Sequence, residues 1–99
     1  MPNLYQYALT DEEIFENVFD DERYLMNHVV MAPGKKFPKH PTDAEVTIIV
    51  LRGTLTAMAS SDAPIDIIKG QVLQIEKGTD SALSNETDEV CELLVLKVK

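Results

Sequence analysis

The hydrophobic positions of this chain come in short bursts. Apolar-rich runs cover Tyr24 to Met31, Val46 to Leu51, Thr54 to Met58, Ile65 to Ile68, Gln71 to Ile75 and Val90 to Val98. Turn-forming residues separate them: Pro33-Gly34, Pro38, Pro41, Gly53, Ser60-Ser61-Asp62, Pro64, Gly70, Gly78 and Asn85. Short runs broken by Gly, Pro and Asn are what β-strands joined by tight turns look like. A succession of them predicts an all-β sandwich or barrel rather than alternating helices and strands.

Two of the runs say more. Alternation sends Val46, Ile48 and Val50 to one face of their strand, and Thr47, Ile49 and Leu51 to the other. In the last run Cys91, Leu93 and Val95 point one way; Leu94, Leu96 and Val98 point the other. Both faces are largely apolar, so both need cover. A small barrel has one interior. The remaining face predicts a cover from the N-terminal segment or from a second copy of the chain, and a homodimer is the economical reading.

Asp11 to Phe19 breaks the pattern. Thr10 followed three residues later by Glu13 reads as a capping box, and Ile14, Phe15, Val18 and Phe19 fall on one helical face. A short N-terminal helix is predicted there; a strand with a bulge fits the same residues.

Composition narrows the class. Ninety-nine residues suit one domain, spanning 1–99. With 44% hydrophobic and 26% charged residues of mixed sign, the chain reads as globular. Seventeen acidic residues against nine Lys and Arg give a net charge of −8, a field that repels a phosphate backbone and argues against nucleic-acid binding. The acids concentrate between Asp11 and Glu22, as a solvated face would. A lone Cys91 rules out an internal disulfide and fits a reducing cytoplasm. No signal peptide is visible, and the longest apolar run, Ile48 to Leu51, is far short of a membrane span. The expectation is a soluble cytoplasmic protein.

Two glycine-punctuated blocks carry the chemistry. The first runs from Gly34 through His40, Thr42, Glu45 and Val46 to Gly53. The second runs Gly70, five residues, Glu76-Lys77-Gly78, two residues, Ser81, three residues, Asn85. In spacing and order this pair, over residues 34–85, resembles the paired motifs of the cupin superfamily. The resemblance implies a double-stranded β-helix, a jelly-roll-like barrel open at one end. It also implies where a metal would sit, since three His and one Glu hold a divalent cation in that family. His40 matches the first of these positions. Thr42 stands at the second, Val46 at the Glu position and Ser81 at the last. A hydroxyl is a poor donor to a first-row metal and valine is none, so no metal site and no cofactor are expected.

Glu45 lies one residue out of register, and only a bulge would turn it inward. His28 could reach the site only from the preceding strand. The candidate ligand-binding residues are therefore His40, Thr42 and Ser81, with Lys35, Lys36 and Lys39 close by as a basic cluster that could draw an anion to the mouth. Phe37, Met58, Leu73 and Ile75 read as core, and Cys91 as a buried structural thiol. The leading expectation is a metal-free cupin that binds a small molecule or acts as a regulatory module. Two alternatives stand beside it: a small cupin enzyme (an isomerase, an epimerase or a metal-dependent dioxygenase), and a structural or interaction module with a filled barrel. Fold alone does not choose among them.

Overall fold

A computed structural model describes residues 2–99, and nine β-strands and no helix are found among them. The strands are β1 (Ile14–Asp20), β2 (Tyr24–Met31), β3 (Lys36–Pro41), β4 (Glu45–Arg52), β5 (Thr54–Ala59), β6 (Ile65–Ile68), β7 (Val72–Ile75), β8 (Asp80–Ser84) and β9 (Cys91–Val98). Each of the six apolar runs forms a strand. Of the two readings of residues 11–19, the chain takes the strand with a bulge: β1 pairs with β2, and its register shifts between Asn17 and Phe19. Pairing along β2 satisfies the backbone of the whole segment, and that outweighs a local helical pattern with no second apolar turn to support it. The strands β3 and β8 lie inside the two glycine blocks, where too few apolar residues mark them.

All pairings are antiparallel, in two sheets ordered β1-β2-β9-β4-β7 and β3-β8-β5-β6. Non-sequential neighbours such as β2-β9-β4 and β3-β8-β5 are what a jelly-roll winding produces. The core lies between the sheets and consists of the inward residues of alternating strands: Val29 and Met31, Val46, Ile48 and Val50, Leu55 and Ala57, Ile67, Ile75, Cys91 and Leu93. Phe37 and Leu73 pack against it. Met58, expected in the core, is instead exposed. Strand β5 buries Leu55 and Ala57, so Met58 takes the parity that faces out.

One end of the barrel is closed by polar structure. The fully buried Asn85 donates from its amide to the carbonyls of Met31, Ala32 and Glu89 and accepts from the Thr87 N–H and hydroxyl. This one residue ties the end of β2 to the turn before β9. At the same end Gly53 adopts φ +77°, with its Cα against the backbone of Val90 and Cys91.

The outer face of the five-stranded sheet has its own polar centre. His28 is fully buried, with Nδ1 2.7 Å from Glu16 Oε2 and Nε2 2.6 Å from Glu92 Oε2. Arg52 continues the chain, donating from Nε to Glu92 Oε1 at 2.9 Å. The extended N-terminal strap closes over this line. Tyr5 stacks on Phe19 and Tyr7 on His28, Ala8 donates its N–H to Glu16, and Arg52 donates to the Thr10 carbonyl and the Asp11 carboxylate. The carboxylates of Glu16 and Glu92 flank the buried ring and Arg52 bridges Glu92 to the strap, which is held by hydrogen bonds and an ion pair as well as by stacking.

Candidate functional site

Between the sheets, at the end opposite Asn85, the barrel encloses a cavity of about 160 Å³. Its walls are mainly Val29, Ile48, Leu93 and Val95 from the large sheet and Phe37 and Leu83 from the small one. His40, Thr42, Asp43, Ser81, Asn27 and Lys97 bring polar groups to it. Those apolar positions follow from parity: every second residue of β2, β4 and β9 must face the other sheet, and there the sequence supplies Val, Ile and Leu.

His40 and Ser81 are register partners across β3 and β8. His40 is exposed and donates from Nδ1 to the Pro38 carbonyl at 2.9 Å, which leaves Nε2 as its free ring nitrogen. Ser81 is buried, and among the described residues no hydrogen bond claims its hydroxyl. Thr42 lines the same cavity, yet its hydroxyl donates to the Glu76 carbonyl at 2.8 Å and helps to hold the turn before β8. The three residues singled out by spacing therefore sit around one cavity, with Thr42 already committed to the backbone.

The donor set does not suit a metal ion. At the position that would carry the family's glutamate, Val46 is a core residue. Glu45 has the opposite parity, pairs with Val98 and is exposed outside the cavity. His28 lies on the outer face, and both of its ring nitrogens are taken up by carboxylates. Among the described residues no group of three or more His, Cys, Asp or Glu side chains is placed to hold an ion. One imidazole, two hydroxyls and the single, exposed Asp43 carboxylate, already paired with Lys97, give a first-row cation too few strong donors.

Cys91 does not contribute chemistry either. It is fully buried in the core, and burial pushes its thiol up to about 11, so at neutral pH it is not a nucleophile.

Two polar groups of the cavity were not anticipated from the spacing. Asn27, only 7% exposed, faces inward from β2, and Lys97 faces inward from β9. Both were legible by parity. Asn27 shares its face with Val29 and Met31, and Lys97 shares its face with Cys91, Leu93 and Val95. Two of the three lysines near His40 in the sequence point elsewhere: Lys35 is 4.0 Å from Glu13, and Lys36 is 3.9 Å from Glu86.

Comparison with known proteins fits this architecture. A family model described as the cupin domain matches residues 27–97. The chain belongs to the cupin family. An uncharacterised cupin, MJ0764 of Methanocaldococcus jannaschii, is 22% identical over 85 residues, covering 86% of this chain and 73% of that protein. The crystal structure of MJ0764, described as an RmlC-like cupin with a double-stranded β-helix fold, superposes with a TM-score of 0.92. That match covers 99% of this chain and 91% of MJ0764 at 20% identity. A cupin superfamily protein of Desulfitobacterium hafniense, DSY2733, gives a TM-score of 0.78 at 14% identity over 94% of this chain and 83% of its own. The polyketide cyclase RemF of Streptomyces resistomycificus gives 0.77 at 18% identity, over 85% of this chain and 63% of RemF. At such identities these likenesses establish the double-stranded β-helix and leave its use to the residues of each cavity.

Proposed function

We propose that this cupin binds a small organic molecule inside its barrel, without a metal, as a binding or regulatory module. The observation that carries this reading is the cavity itself. It is walled by apolar side chains and supplied with a few polar groups, among which the Ser81 hydroxyl and His40 Nε2 have no partner among the described residues. An apolar pocket with a small number of orienting polar groups is the usual form of a small-molecule site. A filled barrel would have left no such space.

A screen of benzene-sized compounds by thermal shift, on the protein before and after EDTA treatment, tests the reading. Compounds that fit should raise the melting temperature equally with and without chelator. The stabilisation should vanish in Val95→Phe, which fills the cavity, and weaken in His40→Ala. Stabilisation that survives Val95→Phe would remove the cavity from the account, and stabilisation that needs an added metal would overturn the metal-free reading.

We also propose that the protein works as a homodimer. The strap covers only part of the outer face of the large sheet, and Ile49, Leu51, Leu94 and Leu96 remain half-buried beside an exposed Val72. Leu4 and Leu9, on the strap itself, are 90% and 92% exposed. A second copy placed against this face would bury all of these together, as isologous cupping of two sheets allows.

A further inference from the structure

We infer that the occupant of the cavity is a small monocarboxylate, its anionic end held between Asn27 and Lys97 and its benzene-sized apolar body held by the barrel wall. This rests on the cavity-binding reading above and goes further by naming the chemical class.

The argument starts at Asn17. Its Nδ2 lies 3.1 Å from the Phe19 carbonyl and 3.2 Å from the Met26 carbonyl, so this end of the side chain must be the donor. The same Nδ2 is 3.2 Å from Asn27 Oδ1, and only an oxygen can accept there. The Asn27 amide is thereby oriented, with its oxygen toward Asn17 and its NH₂ away from it. Among the described residues nothing takes up those two N–H donors. Every fully enclosed side-chain nitrogen and oxygen among these residues does have a partner, so the Asn27 NH₂ opens onto the cavity that the residue lines. These donors are open to the cavity and not sealed, so an acceptor that enters it meets two oriented N–H groups with no competing protein partner.

Lys97 stands beside it. Asn27 pairs with Val95, and Lys97 is the next inward residue along β9, so the two are diagonal neighbours on one face, about 7–8 Å apart. An acceptor lying between them can reach both. The ammonium pairs with Asp43 Oδ1 at 3.6 Å, but the Asp43 side chain is 85% exposed, and an ion pair so open to water is weak and easily displaced. Both groups offer only donors, and one is a cation. A carboxylate meets the pair with lone pairs and a compensating charge, whereas an alcohol oxygen accepts without the charge and a protonated amine brings a second cation. Size limits the rest of the molecule, because an apolar cavity of about 150 Å³ accommodates benzene.

Isothermal titration calorimetry on the full chain with benzoate, cyclohexanecarboxylate and benzyl alcohol tests the assignment. The two carboxylates should bind at least about tenfold more tightly than the alcohol. Asn27→Asp keeps the oxygen that faces Asn17 while replacing the donors with a like charge, and Lys97→Gln removes the cation at a partly exposed site. Each should weaken benzoate about tenfold or more, with the fold verified by circular dichroism. Benzyl alcohol binding as well as benzoate, or benzoate binding unchanged in Lys97→Gln, would overturn the carboxylate assignment and leave the cavity reading standing. If none of the three ligands binds, the carboxylate assignment falls, and a negative thermal-shift screen would then take the cavity reading with it.

Discussion

Gly53 occupies a position that no side chain can share. Its φ of +77° lies in the left-handed region, and a Cβ built on it would stand 2.3 Å from the Val90 carbonyl oxygen. The backbone conformation alone costs a non-glycine residue roughly 1–3 kcal/mol. The clash adds to this, because the obstacle is backbone leading into β9, next to the Glu89 carbonyl that Asn85 holds, and not a side chain that could swing away. Gly53→Ala should therefore lower the unfolding free energy by at least about 2 kcal/mol in urea denaturation. A loss below half of that would mean that the β4–β5 turn yields readily. The glycine was legible in the sequence as a turn. Its close approach to Val90 was not, because that partner comes from the far end of the chain.

Among the elements, the N-terminal strap depends on a single carboxylate. The Ala8 N–H and the His28 ring hold Glu16 below the usual carboxylate range, with the Ala8 hydrogen bond the larger cause. A depressed folded-state value means that the attachment is complete above the ordinary glutamate value of about 4.3 and is lost as pH falls through the lower folded value. Tyr7, Glu92 and Arg52 complete the surroundings of this latch. In NMR titrations the Ala8 amide resonance should move with a midpoint below about 4.3 and should stand still in Glu16→Gln. A midpoint above that value would show that Glu16 does not hold the strap. Glu16 and His28 are register partners across β1 and β2, each a single polar residue on the outer face. That Glu16, His28, Glu92 and Arg52 meet there follows only from the order β1-β2-β9-β4, which joins strands from opposite ends of the chain.

For the whole molecule, the apolar outer surface makes the strongest demand. Ile49, Leu51, Leu94 and Leu96, with the exposed Val72, offer one continuous face across β9, β4 and β7. The homodimer proposed above should sediment at twice the chain mass. Ile49→Lys, placing a charge in the middle of that face, should convert it to monomer in analytical ultracentrifugation without a change in circular dichroism. A wild-type protein that sediments as a monomer at high micromolar concentration would reject this arrangement. Such a monomer would keep its barrel, because the core and the cavity are built within one chain.

The amino-acid sequence alone determined that this chain is all-β, where most of its strands run, which of their faces are apolar, and that it resembles a cupin in which three of the four metal-holding positions have lost their donors. These are local properties, written in alternation, turn residues and spacing. The tertiary structure decided that residues 14–20 extend as a strand, that Met58 faces outward, and that the Thr42 hydroxyl serves the backbone. It also decided that Asn27 and Lys97 share a cavity with His40 and Ser81. Those outcomes depend on which strands become neighbours, and in a jelly-roll winding the neighbours of a residue are set by strands tens of residues away.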